Sequence, residues 1–127
     1  MTVVAVHSAT EPGRAALAHA GREALRTGDH LVVVDGDPRR RAAGVEEIVD
    51  ELGETARRME EAGLTVSLGH SPLTDASDAV VQIAQQHDAR LIVLGLRHRS
   101  PVGKLILGST AQRILLEATC PVLAVKA

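Results

Sequence analysis

The 127-residue sequence contains no phenylalanine, tyrosine or tryptophan. Without aromatic rings it has no stacking platform for single-stranded nucleic acid and no ring clamp for a flavin. Cysteine occurs once, at Cys120, so an internal disulfide is excluded and a reducing, cytoplasmic setting is expected. Long apolar runs are missing too. Runs such as Leu91–Leu94 and Val122–Val125 fall far short of the ~20 residues a membrane-spanning helix needs. The opening Met1-Thr2-Val3-Val4-Ala5-Val6 lacks the basic start and the apolar length of an export signal, so none is expected. Nor is there a strong charge bias. The net charge is −2, which gives a nucleic acid no general attraction. Lysine is scarce, with only Lys104 and Lys126 beside 12 arginines.

What is present is an ordinary globular balance, 45% hydrophobic and 24% charged. The length suits one domain spanning residues 1–127, with a core of Val, Leu, Ile and Ala. Val3-Val4-Ala5-Val6 and Leu31-Val32-Val33-Val34 lack polar alternation, as strands covered on both faces do. Leu17, Ala20, Ala24 and Leu25 recur at helical spacing up to Gly28, a C-cap glycine. Val45, Ile48, Val49, Leu52, Ala56 and Met59 form one helical stripe of about four turns, closed by Gly63. Thr65–Leu68 is a weaker strand near an edge. Asp75 and Asp78 place negative charge in the first turn of a helix that continues through Val80, Ile83, Ala84 and His87. Leu91–Leu94 is the most apolar strand, and residues 95–108 read as a loop. Ser109 or Thr110 caps a helix carrying Ile114 and Leu115, and Pro121 admits a last strand, Val122–Val125. Strands alternating with helices make βαβ units and hence a parallel sheet.

In open α/β sheets ligands bind beyond the carboxyl ends of the strands, where strand order reverses. The segments to inspect are therefore His7-Ser8, Asp35-Gly36-Asp37, Gly69-His70-Ser71 and the stretch from Gly95 to Lys104. Glycines admit close backbone approach to an anion, and Gly108-Ser109-Thr110 leads into a helix whose free N–H groups carry partial positive charge. Arg97, Arg99 and Lys104 add cations. This is the pattern of a phosphate cradle, and equally that of a solvated loop with a helix cap. His7, His70 and His98 with Asp35 or Asp37 offer imidazole and carboxylate ligands, but their spacing matches no metal pattern. His19, His30 and His87 suit surface or helix-end positions. Arg39-Arg40-Arg41 suits a solvated run balanced by Glu46, Glu47, Asp50 and Glu51. Cys120 suits a small packing role. No Walker A sequence, dinucleotide glycine fingerprint or Gly-x-Ser-x-Gly elbow occurs, so no enzyme activity is expected.

The residues Gly95-Leu96-Arg97-His98-Arg99-Ser100, Leu105-Ile106-Leu107-Gly108-Ser109 and Cys120-Pro121-Val122-Leu123 resemble the C-terminal signature of the universal stress proteins: Gly, two residues, Gly, nine residues, Gly, then Ser or Thr. His87–Gly95, Val3–Val6 and Arg14–Leu17 fit the same pattern, so the resemblance covers essentially the whole chain. It implies a single doubly wound parallel five-stranded α/β sheet of order 3-2-1-4-5, helices on both faces, and a homodimer through Val122–Val125. Members of that family that bind ATP use an Asp ending strand one, a Val ending strand two beside adenine, and the glycine loop for phosphates. Carried over, the resemblance implies Val34 on the adenine side and Gly95, Gly108, Ser109 and Thr110 at phosphate, with Leu94, Arg97, His98, Arg99 and His7 around them.

Two positions depart from the pattern. His7 stands where the strand-one Asp would hold ribose hydroxyls or a metal, which makes magnesium doubtful. His98 stands for the second loop glycine, where any left-handed backbone would be strained. The expectation is therefore a cytoplasmic stress-adaptation domain that binds ATP or AMP weakly or in a pH-sensitive way, imidazolium favouring phosphate on acidification. The alternative is a homodimeric interaction or regulatory module that binds no nucleotide. A slow ATPase is a distant third.

Overall fold

A computed structural model describes residues 1–36, 43–98 and 105–127. Asp37, Pro38, Arg39–Arg41 and the loop residues Arg99–Lys104, singled out in the sequence, lie outside these. Valine-rich β1 (Thr2–His7) and β2 (His30–Asp35) run parallel in register, His7 beside Asp35. Helix α1 (Glu11–Thr27) connects them. Thr10 caps its start, and Gly28, in the left-handed region at φ 73°, ends it with an amide bond back to Ala24. A short β3 (Val66–Leu68) adds to the far side of β2, and β4 (Ala89–His98) lies on the other side of β1. The last strand, β6 (Val122–Lys126), runs parallel to β4. The five parallel strands thus stand in spatial order β3-β2-β1-β4-β6, the 3-2-1-4-5 order expected. The reversal falls between β1 and β4.

Alternating strand residues feed two cores. Val3, Ala5, Leu31, Val33 and Val93 face α1 and the helices α2 (Val45–Leu52) and α3 (Glu54–Glu61), meeting Leu17, Ile48 and Met59. Val4, Val32, Val34, Ile92 and Leu94 face α4 (Ala76–Gln86) and α5 (Ser109–Glu117), meeting Val80, Ile83 and Ile114. Each of these aliphatic side chains contributes about 1.5–3 kcal/mol when fully buried.

Three expectations change in detail. The single helix over Val45–Met59 is two helices, because Gly53 adopts φ 60° and breaks the hydrogen-bond ladder. Ile48, Leu52, Ala56 and Met59 keep one buried stripe across the break, while Val45 and Val49 are 41% and 39% exposed. The region read as a loop from Gly95 begins as strand. β4 continues to His98, and β5 (Leu105–Ile106) folds back antiparallel on Arg97 and His98. Helix α5 is capped by Gly108, with Ser109 already inside it and no side-chain cap bond.

Candidate functional site

At the carboxyl ends of β1 and β4 the sheet opens into a cleft of about 830 Å³. Its walls carry Val6, His7 and Ser8 from the end of β1, Pro12 and Gly13 from α1, and Thr74, Asp75 and Ala76 from the start of α4. Leu94, Gly95 and Arg97 come from β4, and Gly108, Ser109, Thr110 and Ile114 from α5. The fold therefore brings Leu94, Gly95, Arg97, Gly108, Ser109, Thr110 and His7 to one place. Val34 sits elsewhere, 3% exposed in the core under α4 and α5, and Gly36 lines the cleft in that quarter. His98 ends β4 beside β5, with its side chain outside the described residues, as is all of Arg99.

Three helices begin at this cleft, and their starts differ. The Thr10 hydroxyl accepts the Gly13 amide at 3.3 Å, and the Asp75 carboxylate accepts the Asp78 amide at 3.1 Å. Both α1 and α4 thus satisfy one of their own orphan donors. Helix α5 has no such cap. Its first intrahelical bond runs from the Gln112 amide to the Gly108 carbonyl at 2.9 Å, leaving the Ser109, Thr110 and Ala111 amides directed out of the helix start. The β4–β5 pairing carries Arg97 to the same spot. A Cβ on Gly108 would lie only 3.3 Å from Arg97 Nη2. Arg97 forms no ion pair among the described residues. Uncapped amides, a helix dipole and a guanidinium without an ion pair among the described residues together make an anion site.

Gly95 has a different physical reason. A Cβ there would meet the Pro12 carbonyl oxygen at 2.1 Å, so glycine is what lets the first turn of α1 lie directly on β4. Gly13 is similarly pressed by Ser8, whose backbone nitrogen would be 2.4 Å from an added Cβ. The cleft floor between β1 and β4 is built on these two close approaches.

His7 is 8% exposed and follows Val3 and Ala5 onto the face covered by α2. Its Nε2 lies 3.1 Å from Glu51 Oε1, a partner 44 positions away that no local signal discloses. Its neighbours on that side are Asp35 and His70, around a small cavity of about 70 Å³. Among the described residues no three His, Cys, Asp or Glu side chains gather as a metal site. Asp75 is the lining residue that sequence reasoning missed. It was legible only as helix-start charge, yet it places a carboxylate in the cleft. The Ser77 hydroxyl, then the Asp78 amide, outweigh its partial burial and, with Arg113 nearby, hold its carboxyl below the usual range. Cys120 is half-buried against the α4–α5 core, and burial pushes its thiol up.

A profile described as the universal stress protein family matches residues 1–126. A universal stress protein of Mycolicibacterium smegmatis is 37% identical over 98% of this chain and 96% of its own length. The solved structure of a universal stress protein from Archaeoglobus fulgidus superposes with a TM-score of 0.62 at 31% identity, covering 97% of this chain and 96% of the other. A second Archaeoglobus fulgidus structure, a universal stress protein in complex with dAMP, gives 0.58 at 26% identity, with 97% and 94% covered.

Proposed function

The chain belongs to the universal stress protein family, and from that premise we propose that it binds adenine nucleotides such as ATP or AMP, weakly, in the cleft between β1 and β4. Phosphate sits at the start of α5 against the Ser109, Thr110 and Ala111 amides and Arg97, and the nucleoside half lies toward Val6 and Gly36. The observation that carries this reading is the contrast among the three helix starts, of which α5 alone has no side-chain cap and has the Arg97 guanidinium beside it. The solved relative that holds dAMP supports the adenine part. The protein acts by binding, as a cytoplasmic module in stress adaptation, and pairs as a homodimer along β6.

Calorimetric titration with ATP, ADP and AMP, with and without magnesium, tests the reading. Binding is expected, with little gain from magnesium because the β1 carboxylate is replaced by His7. Arg97→Ala should weaken it about tenfold, the worth of one charge-assisted hydrogen bond. No heat with any nucleotide at millimolar concentration would refute the reading. In that case the second reading holds, a homodimeric interaction or regulatory module without nucleotide. The engagement of His7 by Glu51 and the packing role of Gly95 favour it.

A further inference from the structure

Strand β1 ends on His7, and one carboxylate lines the cleft among the described residues, that of Asp75. It stands at the N-cap of α4. Its Oδ1 accepts the Asp78 amide at 3.1 Å and the Ser77 hydroxyl. Its Oδ2 lies 3.2 Å from Arg113 Nη1, and the Ser77 amide also reaches the carboxylate. The side chain is nevertheless 48% exposed, so its oxygens stay open to a donor in the cleft. A negative charge in an anion-binding cleft opposes phosphate unless a donor of the same ligand meets it.

We propose that Asp75 is a specificity-determining residue, accepting a hydrogen bond from a hydroxyl or amine of the nucleoside while the phosphate occupies the start of α5. This rests on the nucleotide reading above. Helix capping alone is the simpler role for Asp75, and the two separate cleanly. Asp75→Asn and Asp75→Ser keep a capping oxygen but remove the charged acceptor.

The test is calorimetry on wild type and both variants with AMP, 2′-deoxyAMP, inosine monophosphate and inorganic phosphate, with thermal melts to confirm folding. The variants should bind AMP about tenfold to a hundredfold more weakly, while inorganic phosphate binds equally or slightly more tightly. The penalty should vanish for 2′-deoxyAMP if the donor is the 2′-hydroxyl, and for inosine monophosphate if it is the exocyclic amine. A penalty common to all three nucleotides but absent for phosphate assigns the 3′-hydroxyl. Variants that bind AMP as well as wild type, or that lose AMP and phosphate alike, overturn the role of Asp75 and leave the nucleotide reading standing. Wild type that binds none of the four overturns both.

Discussion

Where β4 passes beneath α1, the difference between a hydrogen atom and a methyl group decides the packing. Gly95→Ala would push a Cβ to 2.1 Å from the Pro12 carbonyl oxygen, backbone that cannot swing aside. The ligand-free protein should lose about 1–3 kcal/mol or more, read by urea denaturation. Unchanged stability would return Gly95 to a purely ligand-binding role. Asp29 tests the charge side of the residue scale. Burial raises its carboxyl, but the Thr27 hydroxyl at 2.6 Å and Arg90 Nε at 2.8 Å outweigh it and leave it lowered. A depressed carboxyl stabilises the fold above its unfolded value, near 4, and that contribution disappears as pH falls through the folded value. Asp29→Asn should therefore flatten the fall in stability below about pH 4. An acid limb as steep as wild type would contradict this assignment.

Among the elements, α5 carries the most functional consequence on the least anchorage. Ile114 is its buried residue, fully enclosed beneath the cleft, whereas Leu115 and Leu116 are 40% and 77% exposed. Ile114→Ala should cost about 2–5 kcal/mol and Ile114→Val about 0.5–1.5, and the Ala variant should also weaken phosphate binding by loosening the helix start. Equal affinity in both variants, at the same fraction folded, would uncouple the anchor from the site. The elements also mark how far the sequence could be read. Valine-rich runs and helical stripes disclosed the strands and helices because burial leaves a period in the residue order. Gly53 escaped notice because it breaks a helix without interrupting the stripe Ile48, Leu52, Ala56, Met59. The β4–β5 ribbon escaped because a two-residue pairing has no period at all. The meetings of His7 with Glu51, and of Asp75 with Arg113 of α5, depend on how helices dock. Such contacts leave no trace in local spacing.

At the scale of the whole molecule, β6 forms a sheet edge among the described residues. There it pairs with β4, and Val122, Leu123, Ala124 and Val125 are half-buried, so its outer row of backbone donors and acceptors suits a second copy. A dimer mass by light scattering at micromolar concentration is the expected outcome, and a monomer would contradict pairing along β6. The strand order itself followed from resemblance, since periodicity alone assigns no neighbours. What the order achieves is a cleft where three helix starts converge and only α5 is left uncapped. Backbone amide NMR during an AMP titration reports on that contrast directly. The Ser109, Thr110 and Ala111 resonances should move most, downfield as they donate to phosphate, while the capped Gly13 and Asp78 amides move little. Saturating AMP that leaves those three α5 amides in place would contradict phosphate binding there.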